Sequence, residues 1–373
     1  MRAPLAIAAV LRETNPSLGS VVQMLDAARG LAAHGHRVFV ITRRSKEIAR
    51  LCAEGGVKHL PLPLRFEFDV GSMRRLRLVA ERRTLDIVHA YDGTAHAIAL
   101  GALALGARFG LLVNRGHSFR LSRWSALKFR ARRVRRIVAE AESIRRALIS
   151  EAKVKPHTIE VVYAGVDLAR FDPIRTSPAK VRAELGIPAD ALVVGQVGMR
   201  DWKGWKELLQ AFPAVRADHP KVCLLLVACT SERQRLGVLE LAREMGLAGA
   251  VCATLERRDI PDVLSACDVV VDASWAGTGI SGTLREAMAL GRPVVATTAG
   301  GNQELITDKV SGLLVPPREE GTLAAAISRL LRDRDLSTRV GAAARKVVRR
   351  RFTAEMRVGR LASLYRRVAR TLR

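Results

Sequence analysis

The chain has 373 residues, of which 49% are hydrophobic and 26% are charged, and its formal net charge is +26. This length exceeds what one hydrophobic core usually supports, and the apolar content excludes a disordered chain. The charge favours an anionic partner, such as nucleic acid, anionic lipid or a phosphorylated small molecule, although a compositional bias toward arginine would also explain part of it.

The cysteines and the apolar segments exclude several further classes. Five scattered cysteines with no pair at Cys-x-x-Cys spacing predict neither a disulfide framework nor a zinc site, and they fit a reducing cytoplasm. The apolar stretch over 95–113 is interrupted by His96, Gly106 and Arg108, so it predicts a buried helix leading into a strand and not a membrane span. We expect a cytoplasmic protein, either soluble or peripheral at the inner face of the cytoplasmic membrane.

The first half alternates short runs rich in Val, Ile and Leu with amphipathic segments, which is the pattern of α/β units on a parallel sheet. The first apolar run predicts a buried strand and not a signal peptide, because it is brief and meets Arg12 and Glu13. A helix is predicted over 21–34, where apolar residues recur at helical spacing and Gly35 follows as a stop. The predicted strands are 5–10, 37–41, 87–89, 111–114, 136–139 and 158–162.

The second half repeats this pattern after a proline-containing stretch over 171–188. Its predicted strands are 191–197, 222–227, 250–253, 269–271, 293–296 and 312–315, and a helical, basic tail begins at Leu336. Two sets of α/β units predict two Rossmann-like domains facing a central cleft, with the ligand at the carboxyl ends of the strands. We place these domains at 1–165 and 166–350, with a C-terminal helix over 351–373 that packs back on the first domain.

A glycine-rich loop follows the predicted strand over 269–271. Glycines let backbone N–H groups approach a ligand, and a helix N-terminus favours negative charge, so free amides over 281–283 would suit a diphosphate. Glu286, one turn into the next helix, is placed to accept hydrogen bonds from ribose hydroxyls. An ordinary strand–loop–helix turn with a solvated glutamate explains this loop equally well. The candidate donor-binding residues are Thr278, Gly279, Ile280, Ser281, Gly282, Thr283 and Glu286.

A second polar loop, after the predicted strand over 191–197, carries Arg200 and Lys203 and leads into a helix near Gly204. Two cations at a strand end beside a helix N-terminus make a sensible diphosphate clamp, whereas either one alone is more typical of a surface charge. His117 follows the predicted strand over 111–114, and a lone histidine in such a place is most often a structural or surface residue.

The stretch over 272–306 resembles the C-terminal signature of the family-four retaining glycosyltransferases. That signature has two glutamates separated by seven residues, followed by Ala-Met-Ala, Gly, Pro-Val-Val, Gly-Gly and Glu-Leu-Ile. The sequence matches from Glu286 to Ile306, and the match continues in SGLLVPP over 311–317. Thr278 stands where the family has the first glutamate, which contacts hydroxyls of the donor sugar. The departure implies either a different sugar or a loss of activity, and the intact remainder favours a different sugar.

The resemblance extends over roughly residues 15–350 and implies a GT-B fold. It makes Arg200 and Lys203 the catalytic pair that holds the donor phosphates, although the loop is one residue shorter than usual before Lys203. It also places a catalytic His117 close to the reacting centre of the donor.

Two further roles in the first domain follow from the same resemblance. Gly19 and Ser20 occupy the place of a glycine-rich loop whose amides meet the donor phosphate and the acceptor. Arg115, on the same loop as His117, would contact phosphate or an acidic acceptor.

The resemblance also implies retaining chemistry without a metal or a cofactor. The nucleotide sugar, UDP- or GDP-linked, is a substrate, and its phosphate takes the acceptor proton in a front-face reaction. The implied acceptor is a saccharide or a lipid-linked molecule, as in cell-envelope polysaccharide or lipopolysaccharide synthesis. A sugar-nucleotide epimerase of similar architecture and a catalytically silent nucleotide-binding relative are the alternatives. No nucleic-acid recognition motif is visible, so we expect no nucleic-acid partner.

The segment over 115–146 carries 11 arginine or lysine residues, interleaved with Phe119, Trp124, Leu127 and Phe129. A basic segment with such apolar residues indicates contact with an anionic membrane surface. A solvated basic helix in an arginine-rich protein explains the segment equally well.

Overall fold

The computed structural model describes residues 3–277 and 279–372, so Thr278 lies outside the described residues. These residues form two compact units. The first unit runs to Gly165 and resumes at Ala354, and the second unit is Val166–Thr353. Each unit is an α/β domain built on a parallel sheet.

The first unit has a seven-stranded sheet. Its strands are β1 (Ala6–Val10), β2 (Arg37–Ile41), β3 (Lys58–His59), β4 (Ile87–Ala90), β5 (Gly110–Arg115), β6 (Val134–Ala139) and β7 (Ile159–Val161). They pair in parallel in the order β3-β2-β1-β4-β5-β6-β7. The order reverses between β1 and β4, which is the point of an open α/β sheet where ligands usually bind. The helices between these strands are α1 (Gly19–Ala33), α2 (Lys46–Glu54), α3 (Val70–Arg83), α4 (Gly93–Ala104), α5 (Arg123–Phe129) and α6 (Glu142–Ser150).

The second unit has a six-stranded sheet of the same kind. Its strands are β8 (Leu192–Val197), β9 (Val222–Val227), β10 (Val251–Ala253), β11 (Val269–Asp272), β12 (Val294–Thr297) and β13 (Leu313–Val315). They pair in parallel in the order β10-β9-β8-β11-β12-β13, so here the order reverses between β8 and β11. Its helices are α7 (Pro178–Glu184), α8 (Trp205–Asp218), α9 (Glu232–Glu244), α10 (Ile260–Ala266), α11 (Gly282–Ala289), α12 (Asn302–Leu305), α13 (Glu320–Arg332) and α14 (Arg334–Arg351).

The last helix, α15 (Ala354–Arg370), belongs to the first unit. It packs against α1 so closely that a Cβ on Gly30 would lie 2.4 Å from a methyl carbon of Val358. Tyr365 is fully buried, and its hydroxyl lies 2.6 Å from Nδ1 of His89 in a hydrogen bond. The helix therefore completes the hydrophobic core on one side of the sheet.

The predicted α/β fold is confirmed, and each predicted strand lies within two residues of an observed one. All six residues of β9 are buried, which explains why the sequence of this strand is a continuous apolar run. The strand β3 was not predicted, because its two residues, Lys58 and His59, carry no apolar pattern. The predicted helix over 21–34 begins two residues earlier, at Gly19.

Candidate active site

The turn that carries Lys203 is fixed by close backbone packing at the end of β8. A 3-10 turn spans Asp201–Lys203, and Gly204 follows it with a φ of +71°. A Cβ on Gly204 would lie 1.9 Å from the carbonyl oxygen of Ala273, so only glycine fits there. The carbonyl of Lys203 also accepts a hydrogen bond from the side chain of Gln196 at 3.1 Å. The turn therefore lies against the segment that leaves β11.

Lys203 forms an ion pair with Asp272, the last residue of β11. Its Nζ donates to Oδ2 of Asp272 at 3.0 Å, and the two side chains are 14% and 2% exposed. The hydroxyl of Ser281 donates to the same oxygen at 2.6 Å. One buried carboxylate thus joins the Lys203 turn to Ser281, the N-cap residue of α11.

The charge of Asp272 is maintained by these partners. Burial alone would raise the pKa of Asp272, but the ammonium of Lys203 and the hydrogen bonds to the carboxylate outweigh burial and lower it. Asp272 is therefore an anion at neutral pH. Sequence reasoning did not identify it as a functional residue, since its partners lie 69 and 9 residues away along the chain.

Arg200 immediately precedes the same turn, but its side chain takes no part in this network. Its carbonyl accepts the N–H of Lys203 at 2.8 Å, and its side chain is exposed. Within residues 3–277 and 279–372 no ion pair involves its guanidinium. The structure therefore brings Lys203, but not Arg200, into the network around Asp272.

The glycine-rich loop before α11 packs against a second glycine-rich segment. The N–H of Gly301 donates to the carbonyl of Gly279 at 2.5 Å, and a Cβ on Gly301 would lie 2.7 Å from that oxygen. The buried side chain of Asn302 accepts a long hydrogen bond, 3.4 Å, from the N–H of Ser281. The expectation of a free amide at Ser281 is therefore wrong, because a residue 21 positions later accepts its hydrogen bond.

The first turn of α11 offers two other amides. In the part of the chain that the structure describes, the N–H groups of Gly282 and Thr283 have no hydrogen-bond acceptor. They are available to an anionic ligand at the positive end of the helix. Ile280 is buried, and its carbonyl accepts a hydrogen bond of 3.0 Å from Nη1 of the buried Arg285. This bond joins the glycine-rich loop to α11. Glu286 lies on the same helix and is half-buried.

In the first unit, Gly19 and Ser20 form the first turn of α1 instead of a loop before it. The helix starts earlier than predicted because the carbonyl of Leu18 accepts the N–H groups of Val21 and Val22. Gly19 and Ser20 are both exposed, and a Cβ on Gly19 would meet no atom within 4 Å. Packing within the protein therefore does not require glycine there.

His117 lies two residues beyond β5, with its ring exposed. Its Nε2 is 3.3 Å from Nη1 of Arg115. Desolvation by the surrounding loop and the adjacent Arg115 guanidinium lower the pKa of His117 to about 4. Both act in the same direction, so the imidazole is neutral at pH 7.

Arg115 holds the loop that carries His117. Its Nη2 donates to the carbonyl of Phe119 at 2.6 Å, and the side chain is half-buried. Burial lowers the pKa of Arg115 to about 10, so it remains a cation at neutral pH. Its contact with a phosphate or an acidic acceptor stays a prediction.

Glu140, which sequence reasoning did not identify, supports the same loop from the end of β6. Its Oε1 accepts hydrogen bonds from Nδ2 of Asn114 at 3.1 Å and from Nη2 of Arg357 at 2.9 Å. A Cβ on Gly116 would lie 2.8 Å from its Oε2. No sequence signal links these residues, because Arg357 lies 217 positions away on α15.

The described residues contain neither a cluster of metal ligands nor a helix that could span a membrane. No three His, Cys, Asp or Glu side chains in that part of the chain lie close enough together to hold a metal ion. The one Asp-x-Asp sequence, Asp333 and Asp335, begins α14, where Asp333 accepts the N–H of Leu336 at 2.8 Å as a helix cap. None of the helices in residues 3–277 and 279–372 is both long and apolar enough to cross a bilayer.

Comparison with known proteins agrees with the motifs. Residues 19–170 match the family profile described as Glycosyltransferase Family 4, and residues 188–333 match that described as Glycosyl transferases group 1. The D-inositol 3-phosphate glycosyltransferase of Salinispora arenicola is 32% identical over 225 residues, which are 57% of this chain and 50% of the relative. The protein of the same name from Corynebacterium urealyticum is 34% identical over 187 residues, which are 48% and 44%. The match thus spans about half the length of these curated relatives.

Solved structures share the fold. A glycosyltransferase from Rickettsia africae matches with a TM-score of 0.87 at 19% identity, over 98% of this chain and 99% of that one. Anabaena Alr3699/HepE, in complex with UDP and glucose, matches with a TM-score of 0.85 at 22% identity, over 96% and 99%. The GT-B fold class implied by the motifs is confirmed. The two family profiles match most of each half of the sequence, so the chain carries a Glycosyltransferase Family 4 domain followed by a Glycosyl transferases group 1 domain.

Proposed function

We propose that the protein transfers a sugar from a UDP- or GDP-linked donor to a saccharide or lipid-linked acceptor, with retention at the anomeric carbon and without a metal ion. We further propose a place in cell-envelope polysaccharide or lipopolysaccharide synthesis. The observation that carries the proposal is the network around Asp272, in which one buried carboxylate holds both Lys203 and the N-cap of α11. A cation and a helix N-terminus are thereby fixed at one edge of one sheet.

This arrangement fits the charge that develops on a leaving diphosphate. An ammonium group has three N–H donors, and Lys203 directs one of them to Asp272. The remaining donors, with the amides of Gly282 and Thr283, would bind the diphosphate oxygens. Preorganised donors at the place where charge develops usually supply the largest part of such catalysis. Arg200, exposed immediately before the Lys203 turn, would add a second cation to bound phosphate.

The other candidate residues take supporting roles in this proposal. Glu286 would bind the ribose hydroxyls. Thr278 would offer the donor sugar one hydroxyl in place of a carboxylate, which favours a sugar different from that of relatives with glutamate there. In the first unit, the neutral imidazole of His117 would accept or donate a hydrogen bond near the reacting centre, and Arg115 and the N-terminus of α1 would bind an anionic acceptor.

The comparisons suggest which substrates to assay first. Alr3699/HepE has been solved with UDP-glucose, and the matched relatives are named for D-inositol 3-phosphate. A first panel therefore pairs UDP-glucose, UDP-N-acetylglucosamine and GDP-mannose with inositol 3-phosphate and with lipid-linked saccharides. Because the match spans about half of those relatives, the panel is a starting point and not an assignment.

The test is acceptor-dependent release of nucleoside diphosphate, with the anomeric configuration of the product read by NMR. We expect an α-linked product from an α-linked donor and unchanged turnover in EDTA. A donor sugar that changes configuration without any acceptor would identify an epimerase. Nucleotide binding without turnover on any pair would identify a silent relative, and inhibition by EDTA would contradict metal independence.

A further inference from the structure

Five large apolar side chains of the first unit are between 46% and 62% exposed and come from two segments of the chain. Three surround the start of α3 and two lie on α5; they are Phe66, Phe68, Val70, Trp124 and Leu127. Together we call them the aromatic surface. Monomeric soluble proteins rarely expose such side chains side by side without a partner.

The two segments are held together by one carboxylate. The rings of Phe68 and Trp124 lie 5.5 Å apart. Oε2 of Glu67 accepts Nε1–H of Trp124 at 2.7 Å, and its Oε1 accepts the buried ammonium of Lys128 at 2.5 Å. The polar atom of Trp124 is therefore satisfied inside the protein, while 46% of the residue remains open to solvent. Contacts within the protein therefore hold Phe68 and Trp124 of the aromatic surface in place.

The rim of the aromatic surface is strongly basic. From Phe119 to Arg136 the sequence has seven arginines, six of them exposed, and no acidic residue. Arg123 begins α5 and Arg130 is its C-cap residue, so they lie four residues before and three residues after Leu127, and both are exposed. Arginine stems pack along apolar surfaces while their charged heads stay in polar surroundings.

We infer that the aromatic surface docks on an acidic lipid bilayer, with its five apolar side chains in the interfacial layer and the surrounding arginines on lipid phosphates. Aromatic rings beside cations are also found at sites that bind single-stranded nucleic acid. The aliphatic side chains of Val70 and Leu127 stack on no base, however, and exposed aliphatic side chains beside the two rings suit acyl chains. A symmetric contact with a second copy would place two basic rims against each other. This inference is independent of the donor chemistry.

The first experiment measures partition of the full-length protein onto vesicles of phosphatidylglycerol with phosphatidylcholine and onto vesicles of phosphatidylcholine alone. We expect binding to the acidic vesicles that weakens as salt screens the charges. Lipids brominated on their acyl chains should quench the tryptophan fluorescence of the wild type, and Trp124→Phe should remove that quenching. Quenching of the variant equal to that of the wild type would overturn the inference.

Paired substitutions then test the apolar and the basic parts. Phe68→Ser with Trp124→Ser should weaken binding to acidic vesicles by at least about tenfold, since two partly buried rings are lost. Arg123→Gln with Arg130→Gln should weaken it by roughly fivefold for each cation. The matched controls lie in the second unit: Ile174→Ser with Leu236→Ser, and Arg339→Gln with Arg350→Gln, all at exposed positions. These controls should bind like the wild type.

These measurements distinguish a loss of membrane binding from a loss of folding and from a loss of nucleotide binding. The substituted side chains lie at the surface of the first unit, so nucleotide binding by the second unit should stay unchanged in every variant, and thermal unfolding measures how much stability the lost Trp124–Glu67 hydrogen bond contributes. The inference is overturned by equal binding to neutral and acidic vesicles, by no binding to either, or by wild-type binding of the Phe68 and Trp124 variant. Loss of a dimer or of RNA binding in that variant, with vesicle binding absent, would assign the surface to that other partner instead.

Discussion

At the scale of single residues, the pairing of Lys203 with Asp272 links the stability of the second unit to its candidate chemistry. Removing one member of a buried ion pair costs about 3–5 kcal/mol, because the other charge is left without a partner. Lys203→Ala by itself therefore cannot distinguish a phosphate-binding lysine from a structural one. A second substitution that neutralises Asp272 separates the two roles.

We expect Lys203→Ala to destabilise the protein and to weaken nucleoside diphosphate binding by at least about tenfold. The double variant Lys203→Ala/Asp272→Asn should recover most of the stability but not the affinity. Calorimetric binding and denaturant unfolding measure the two quantities. Lys206→Ala is the control, since Lys206 is 56% exposed and its nearest carboxylate oxygen is 3.9 Å away. A double variant that binds like the wild type would make Lys203 a structural residue.

The same pair predicts a pH dependence. The pKa of Asp272 is lowered in the folded protein from its ordinary value of 3.8. Its contribution to stability is therefore fully present above about pH 4 and is lost as the pH falls through the folded pKa. Unfolding free energies of the wild type and the Asp272→Asn variant, in which Lys203 has lost its carboxylate partner, should converge as the pH falls below 3.8. A constant difference between pH 7 and pH 3 would contradict this role.

At the scale of elements, the turn between β8 and α8 depends on one glycine. Gly204→Ala would place a methyl group on the Ala273 carbonyl and force alanine into a left-handed conformation. We expect a loss of at least about 2 kcal/mol in stability and a weaker diphosphate site. Gly237→Ala is the control, because its Cβ meets nothing within 4 Å inside α9, and it should stabilise by about 0.5–1 kcal/mol. Equal stability of the two variants would show that the turn tolerates the displacement.

Elements were predictable from the sequence where a local pattern determined them. The buried strands and the loops that carry Lys203 and Gly282 follow from apolar runs, glycines and the family motif. The partners that organise those loops do not, because Asp272, Asn302 and Glu140 act through contacts with residues distant in sequence. The early start of α1 was missed since Leu18 caps it with a backbone carbonyl and no capping side chain.

At the scale of the whole molecule, the chain completes its first unit only at its end. Leu361, Leu364 and Tyr365 of α15 are fully buried in the core of the first unit. Each such side chain stabilises by about 1.5–3 kcal/mol when it leaves water, against a typical domain stability of about 5–15 kcal/mol. The first unit cannot therefore be stable without residues that lie beyond the second.

This dependence predicts how the chain can be divided. The N–H of Val166 donates to the carbonyl of Phe352 at 2.9 Å, and Val166 forms a bridge with Thr353, so the outgoing and returning segments run side by side. A short glycine–serine linker from Gly165 to Ala354, replacing 166–353, should therefore give a first unit that unfolds cooperatively by circular dichroism. Residues 3–165 alone should not, because the core face covered by α15 is exposed. Residues 166–353, which contain the Lys203–Asp272–Ser281 network, should fold by themselves and bind a nucleoside diphosphate in calorimetry. A cooperative transition of residues 3–165 equal to that of the linked protein would show that α15 is an accessory to the first unit and not part of its core.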